Sequence, residues 1–150
     1  MKLLRFKTKT GQKGHGLLMD RSIFPLVDMM TTTDALGSMK EESESWNRTV
    51  SQTPISIDEV VLLPPVENPG AFLDFYTFEE HVKTARKKRG LKMVAEWYQY
   101  PVWYNGSTRC FSGDNETVVF PDNEQKKDFE LELAIVIKKP CFRVGVDCAS

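Results

Sequence analysis

The sequence predicts a mainly β protein of the α+β class, with a small N-terminal β module and a larger β-rich module after it. Short stretches with the pattern of strands outnumber the segments with a helical pattern, of which there are two. A chain of 150 residues can form one full core or two small ones. We place the boundary near residue 56, which gives modules of 1–56 and 57–150.

Short strands are predicted at the start of the first module, with a glycine-rich turn after the first of them. The strands are Lys2 to Phe6, Gly16 to Met19 and Ile23 to Val27, and the turn is Gly11-Gln12-Lys13-Gly14. A polar surface helix is predicted from Asp34 to Glu44, with Asp34 as its N-cap. The polar stretch from Ser43 to Thr53 has no clear period and is predicted to be a loop or linker.

The second module opens with an apolar stretch from Ile57 to Leu63, which a pair of prolines ends because proline cannot donate to a ladder. A helix is then predicted from Thr77 to about Arg89. Thr77 and Glu80 have the spacing of a capping box, and Gly90 is expected as the C-cap.

His81 borders the apolar stripe of this helix, which consists of Phe78, Val82 and Ala85. We therefore expect its imidazole to face inward or to line a cleft. Asp74 lies just before the helix, in the predicted strand-to-helix turn. Each residue has an ordinary alternative. A histidine beside an apolar face is more often a hydrogen-bonded structural residue than a catalyst, and aspartate is common in turns because its side chain bonds nearby backbone.

Two glutamates lie within the segment Asp128 to Ile137, which otherwise has the pattern of a buried strand. Side chains alternate along a strand, so Glu130 and Glu132 are predicted to point to the same face. Two like charges this close on an apolar strand are costly unless a cation lies between them. Mg²⁺ or Ca²⁺ is the simplest such cation, because hard ions prefer carboxylate oxygen. The alternative is an exposed face on which both glutamates meet water.

Composition and charge argue against several classes of function. The net charge of −1 gives no general attraction to nucleic acid or acidic membrane, and the basic run Lys83 to Arg89 is more typical of a solvated helix end. No apolar run reaches the roughly 18 residues of a membrane span. Lysines interrupt the N-terminus where a signal peptide needs an apolar stretch, so the cytoplasm is the expected location. The three cysteines have no C-x-x-C spacing, which argues against a disulfide framework and a zinc site.

Taken together, these segments resemble the fumarylacetoacetate hydrolase family. The motifs that carry the resemblance are Asp74-Phe75-Tyr76 with His81 downstream, Pro101-Val102-Trp103-Tyr104, and Asp128-Phe129-Glu130-Leu131-Glu132-Leu133-Ala134, in this order. The opening Lys2-Leu3-Leu4-Arg5-Phe6 is also similar to the small N-terminal module of bacterial and archaeal members. The similarity extends from residue 1 to about residue 139.

The resemblance implies part of a β-rich roll of mixed sheets, usually dimeric, whose substrates are acylpyruvates and other 2-oxo or diketo acids. The family's histidine, which helps to activate water or to move a proton, falls on His81. Tyr76 and Tyr104 occupy positions where some members contact the substrate. Neither nucleic acid nor membrane is an expected partner.

The resemblance also implies a divalent ion, Mg²⁺, Ca²⁺ or Mn²⁺, bound by two aspartates and the two strand glutamates. The first three of these ligands fall on Asp74, Glu130 and Glu132, and the second aspartate is expected past Ser150. Family members are usually longer, and the sequence after Ile137 fits the family poorly. The chain is therefore expected to be a truncated N-terminal portion of a member.

Two hypotheses of different class follow. In the first, the chain is an enzyme, or the N-terminal half of one, that forms an enolate from a 2-oxo acid for C–C bond hydrolysis, decarboxylation, isomerisation or dehydration. In the second, it is a non-catalytic remnant whose apolar edge at 129–137 favours association. The family scaffold does not choose among these reactions.

Overall fold

The computed structural model describes residues 2–27, 31–38, 50–137 and 139–148. The predicted fold class is confirmed, since the described residues form mainly β structure with few helices. Every strand pairing among them is antiparallel. The chain divides into two compact units, residues 1–67 with 112–150 and residues 68–111, and each is described separately below.

The first unit is built on a five-stranded sheet in the order β4-β3-β2-β1-β5. Its strands are β1 (Lys2–Thr8), β2 (Lys13–Met19), β3 (Ser22–Pro25), β4 (Ile55–Ser56) and β5 (Val60–Leu63). β1 and β2 form a hairpin in which Lys7 pairs with Lys13. The turn between them uses Gly11 at φ 88°, a conformation that glycine adopts without steric cost. The three strands predicted at the start of the chain are confirmed.

The sheet extends past the predicted module boundary. β5 pairs with β1, so that Leu63 lies opposite Arg5. The apolar run that begins at Ile57 is only partly a strand, because Ile57–Glu59 forms a 3₁₀ turn in which the Ser56 side chain accepts a hydrogen bond from the Asp58 N–H. That the protein consists of two modules, residues 1–56 and 57–150, stays a prediction.

Both faces of the sheet carry buried side chains, because alternate residues of a strand point to opposite sides. Phe6 and Ile23 are buried on one face, above Gly16 of β2. His15 and Leu17 are buried on the other face.

Gly16 has no room for a side chain. A Cβ atom there would lie 2.5 Å from Ile23 Cγ2, 3.1 Å from the Phe24 carbonyl oxygen and 3.3 Å from Phe6 Cε1. Because Ile23 is fully buried, we expect Gly16→Ala to lower the free energy of unfolding by about 1–3 kcal/mol in urea denaturation. Gly145→Ala is the control, since its Cβ would meet no atom within 4 Å. Equal losses in the two variants would contradict the packing argument.

Helix α1 (Thr32–Ser38) begins two residues before the predicted start. Thr31 precedes it and accepts a hydrogen bond from the Asp34 N–H at 3.1 Å, while the Thr31 N–H donates to Asp34 Oδ2 at 3.2 Å. Asp34 is thus the third residue of the helix and forms a reciprocal cap with Thr31. Its predicted role as the N-cap is therefore wrong. The hydrogen bonds from the Thr31 hydroxyl and N–H hold the pKa of Asp34 below its usual value. The rest of the predicted helix, and most of the predicted linker, lies outside the described residues.

The second unit contains a two-stranded ribbon and the longer helix. Its elements are β6 (Leu73–Phe75), α2 (Glu79–Lys88), a 3₁₀ turn (Ala95–Tyr98) and β7 (Trp103–Asn105). Gly90 follows α2 at φ 73°, as predicted for a glycine that ends a helix. The predicted capping box is wrong, because Phe78 is the N-cap and makes no side-chain cap hydrogen bond. In the part of the chain that the structure describes, no helix has the length and apolarity that a membrane span requires.

The segment from Asp128 to Ile137 forms no strand, so that prediction is wrong for this structure. A strand needs a hydrogen-bonded neighbour, and none of the described strands pairs with this segment. Its apolar side chains are exposed as a result, with Leu131 at 95% and Leu133 at 93%.

Candidate active site

The β6–β7 ribbon places Asp74 directly opposite Tyr104. Residues opposed in this way project their side chains to the same face of an antiparallel pair. Phe75 and Trp103 project to the other face, where their ring centroids lie 5.9 Å apart. Asp74 is partly buried and Tyr104 is exposed. Asp74 therefore lies within a strand and not in the predicted strand-to-helix turn.

Tyr76 continues the ribbon by one hydrogen bond, which its N–H donates to the Val102 carbonyl oxygen at 2.9 Å. It lies two residues after Asp74, so the alternation of side chains places it on the same face. Its ring makes a T-shaped contact with the imidazole of His81, with the ring centroids 5.5 Å apart. His81 is exposed, so it does not face inward, and the other expectation, that it lines a cleft, stays a prediction. We call the surface formed by Asp74, Tyr76, His81 and Tyr104 the ribbon face.

Trp97 fastens the turn after α2 to the ribbon face. Its indole N–H donates a hydrogen bond to the Tyr76 carbonyl oxygen at 2.8 Å. The neighbouring Tyr98 hydroxyl donates to the Glu79 carboxylate at 2.6 Å, and Lys83 lies 2.9 Å from the same carboxylate. These two hydrogen bonds hold the pKa of Glu79 below its usual value. The sequence prediction did not identify Trp97, because no spacing rule links a tryptophan after a helix to a backbone carbonyl before it.

Glu130 and Glu132 belong to the first unit, in the segment that pairs with none of the described strands. Both are exposed. Because no ladder fixes this stretch of backbone, the structure does not hold the two glutamates in the geometry that the strand prediction required.

Among the described residues, no three His, Cys, Asp or Glu side chains lie close enough together to bind one metal ion. The chemistry of the predicted donors nevertheless fits a hard divalent cation, because Asp74, Glu130 and Glu132 all offer carboxylate oxygen. Three protein carboxylates also leave coordination positions for water and substrate. Asp74 differs from the two glutamates because its backbone belongs to a strand, β6.

Comparison with known proteins gives the site a family context. Residues 71–150 match the family model described as fumarylacetoacetate (FAA) hydrolase C-terminal. The match covers more than half of the chain and includes all six predicted site residues, from Asp74 to Glu132. No curated protein and no solved structure matches the chain.

Proposed function

The chain belongs to the fumarylacetoacetate hydrolase family, and from this premise we propose that it acts as a divalent-metal-dependent enzyme on a 2-oxo or diketo acid. The reaction is C–C bond hydrolysis, or a related decarboxylation, isomerisation or dehydration, through an enolate. The observation that carries the proposal is the ribbon face. Two strands and the start of α2 bring four of the six predicted site residues to one surface, namely Asp74, Tyr76, His81 and Tyr104.

Asp74, Glu130 and Glu132 are the proposed ligands of Mg²⁺, with Ca²⁺ or Mn²⁺ as alternatives. The support is the match to the family and the preference of these ions for carboxylate oxygen. A bound divalent ion supplies a Lewis acid that stabilises the negative charge of an enolate.

His81 is the proposed proton-transfer group. Imidazole both accepts and donates protons near neutral pH, which suits a general base that must also return a proton. The T-shaped contact with the Tyr76 ring restricts the directions in which the imidazole can turn, while the exposure of His81 lets water and substrate reach it.

Tyr76 and Tyr104 are the proposed substrate-binding residues. Both lie on the same side of the ribbon as Asp74, so their hydroxyls can donate hydrogen bonds to an acid whose oxygens approach that carboxylate. A 2-oxo acid has a carboxylate and an adjacent carbonyl, which gives each hydroxyl an acceptor.

The second candidate function is a non-catalytic remnant, which the exposed segment 129–137 favours. With two proposed ligands on a stretch of backbone that no ladder fixes, such a chain would keep the ribbon face but lack a complete metal site. Its apolar side chains would then favour association of chains over catalysis.

A substrate screen separates the two functions. The purified chain is incubated with a panel of acylpyruvates, diketo acids and oxaloacetate, with Mg²⁺, Mn²⁺, Ca²⁺ or a chelator. Turnover of any of these acids that needs the metal supports the enzyme. A folded chain that turns over none of them with any metal supports the remnant. Light scattering on the same sample tests for the homodimer, which is expected if the protein is full length. The expected cytoplasmic location stays a prediction.

A further inference from the structure

The first unit contains a buried polar cluster that the proposed function does not use. His15 is 9% exposed, and its Nε2 atom lies 2.8 Å from Glu67 Oε1 and 3.0 Å from Thr32 Oγ1. Arg5, which pairs with His15 across β1 and β2, places its Nε atom 2.8 Å from the same Glu67 oxygen. The four side chains are called the His15 cluster below. They join β1, β2, the first residue of α1 and the segment that follows β5.

The contacts determine which nitrogen of His15 carries the proton at neutral pH. The Thr32 hydroxyl has one proton, and it donates that proton to the Pro65 carbonyl oxygen at 2.6 Å. Toward His15 it can therefore only accept. The ionised Glu67 carboxylate is also only an acceptor. His15 Nε2 must then be the donor to both, so a second proton on this ring would add to Nδ1.

Glu67 holds the end of this segment to α1 and to the sheet. Its Oε2 atom accepts a hydrogen bond from the Thr32 N–H at 3.3 Å, while its Oε1 atom is shared by Arg5 and His15. Arg5 also donates to the Pro64 carbonyl oxygen at 2.7 Å. One carboxylate thus joins the start of α1, the strand pair β1–β2 and the residues 64–67.

A charge on His15 would disturb this arrangement. The Arg5 guanidinium is a permanent cation and already pairs with Glu67, the one carboxylate of the cluster. A protonated His15 would be a second buried cation and would have to share the Glu67 carboxylate with Arg5. Burial lowers the pKa of His15. The negative charge of Glu67 acts in the opposite direction and raises the pKa, whereas the positive charge of Arg5 lowers it further. Burial opposes ionisation of Glu67 as well, but hydrogen bonds from the Thr32 and Glu67 N–H groups and the charge of Arg5 lower its pKa.

The other contacts of His15 add no charge. Thr32 is the residue of α1 that faces it, and β3 contributes a backbone hydrogen bond from the Leu26 N–H to the His15 carbonyl oxygen at 2.8 Å. Among the described residues, Arg5 and Glu67 are therefore the charged groups that decide whether the imidazole takes a proton.

We propose that the His15 cluster is a pH-sensitive latch, in which neutral His15 holds residues 64–67 and the start of α1 against the sheet, and protonation of His15 in mildly acidic solution releases them. Glu67 is the last residue of the first unit before the chain enters residues 68–111, which carry Asp74 and His81. Release therefore frees the chain at the point where it leaves the sheet. The latch does not depend on the proposed function.

The size of the effect follows from proton linkage. A histidine in the open form titrates at its ordinary value of 6.5, whereas the closed form resists the proton. The free energy by which neutral His15 favours the closed form is therefore fully present above pH 6.5. This contribution falls as the pH drops toward the lower pKa that His15 has in the closed form. Between about pH 7.5 and about pH 5.5 the opening becomes up to about tenfold more frequent. Glu67 stays ionised over this range because its pKa is lowered from 4.5.

Hydrogen–deuterium exchange on the full chain tests the latch. After correction for the intrinsic pH dependence of exchange, amides in peptides covering 31–38 and 60–70 are expected to lose protection by up to about tenfold on going from about pH 7.5 to about pH 5.5. A peptide covering β3 should keep its protection. Protection of 60–70 that does not change with pH would overturn the proposal.

The variant His15→Gln separates titration from structure. Its amide N–H₂ can donate to Glu67 and Thr32 as Nε2 does, but it takes no proton in this range. Peptides 31–38 and 60–70 are expected to stay protected at both pH values. The same pH-dependent loss in His15→Gln would overturn the proposal.

A measurement on the unchanged sequence covers the case in which that variant does not fold. The chain has two histidines, so two imidazole signals are expected in a proton NMR titration, and His81→Gln assigns them. The His15 signal should titrate below pH 6.5, and the protection of 60–70 should fall over the same range. A His15 titration at or above 6.5 would contradict the latch.

Discussion

Replacing Glu130 and Glu132 together with glutamine is expected to abolish the binding of divalent ions to the chain, and with it any metal-dependent turnover. Glutamine keeps the size of each side chain and removes its charge, so both proposed carboxylate ligands are lost without a change in volume. Residues behind a metal's direct ligands typically contribute about 10- to 100-fold in affinity. Loss of two direct ligands should therefore weaken binding by more than about 100-fold, as measured by calorimetric titration with Mn²⁺ and Mg²⁺.

The control for this pair is Asp122→Asn, which removes another exposed carboxylate from the 112–150 part of the first unit. It should bind Mn²⁺ as the unchanged chain does. Ion binding should also slow amide exchange in the segment 129–137, because coordination by Glu130 and Glu132 would fix a stretch of backbone that belongs to none of the described strands. A double variant that still binds Mn²⁺ with unchanged affinity would exclude Glu130 and Glu132 as ligands.

His81→Gln is expected to lower turnover by about 10²- to 10⁴-fold, the usual contribution of a general acid–base group, while metal binding is unchanged. His81 is exposed, so its replacement should alter the free energy of unfolding by no more than about 0.5 kcal/mol. Steady-state kinetics with the best acid from the substrate screen, beside urea denaturation, measures both effects.

The chain offers a matched control for this prediction in its other histidine. His15 lies in the sheet of the first unit and has no assigned role in the chemistry, so His15→Gln should keep its turnover at about pH 7.5, where that ring is neutral. Equal losses of turnover in the two variants, or unfolding of His81→Gln, would identify His81 as a structural residue.

The hairpin at the start of the chain was predictable because its determinants are local. Glycine at positive φ in the turn and alternating apolar residues on either side specify β1 and β2 without reference to the rest of the molecule. The end of α2 was predictable for the same reason, because it depends on the positive φ of the neighbouring Gly90.

The helix starts were predicted less well, although the capping rules themselves apply. Thr77 and Glu80 have the right spacing, yet α2 begins at Glu79. At α1 the reciprocal cap exists, but it joins Thr31 to Asp34. Two suitable residues three positions apart occur by chance near many helix starts, and the path of the incoming chain decides which residue caps.

The strand prediction for 128–137 failed for a non-local reason. Alternation and apolarity establish that a segment suits a sheet, but pairing requires a second strand elsewhere in the chain.

The same dependence on distant residues explains why the role of His15 was not predicted. Nothing about a histidine between Gly14 and Gly16 signals a buried ion pair, because Arg5 and Glu67 become its neighbours only when the sheet forms.

The indole of Trp97, hydrogen-bonded to the Tyr76 carbonyl oxygen, makes the ribbon face visible to spectroscopy. Indole emission depends on the polarity and hydrogen bonding around the ring, and the other tryptophan of this unit, Trp103, packs against Phe75 on the opposite side of the ribbon. An acid that settles against Tyr76 will therefore alter the emission of one tryptophan more than that of the other. The protein thus carries its own optical reporter of occupancy, so a substrate panel can be ranked by titration with no chromogenic group and no turnover.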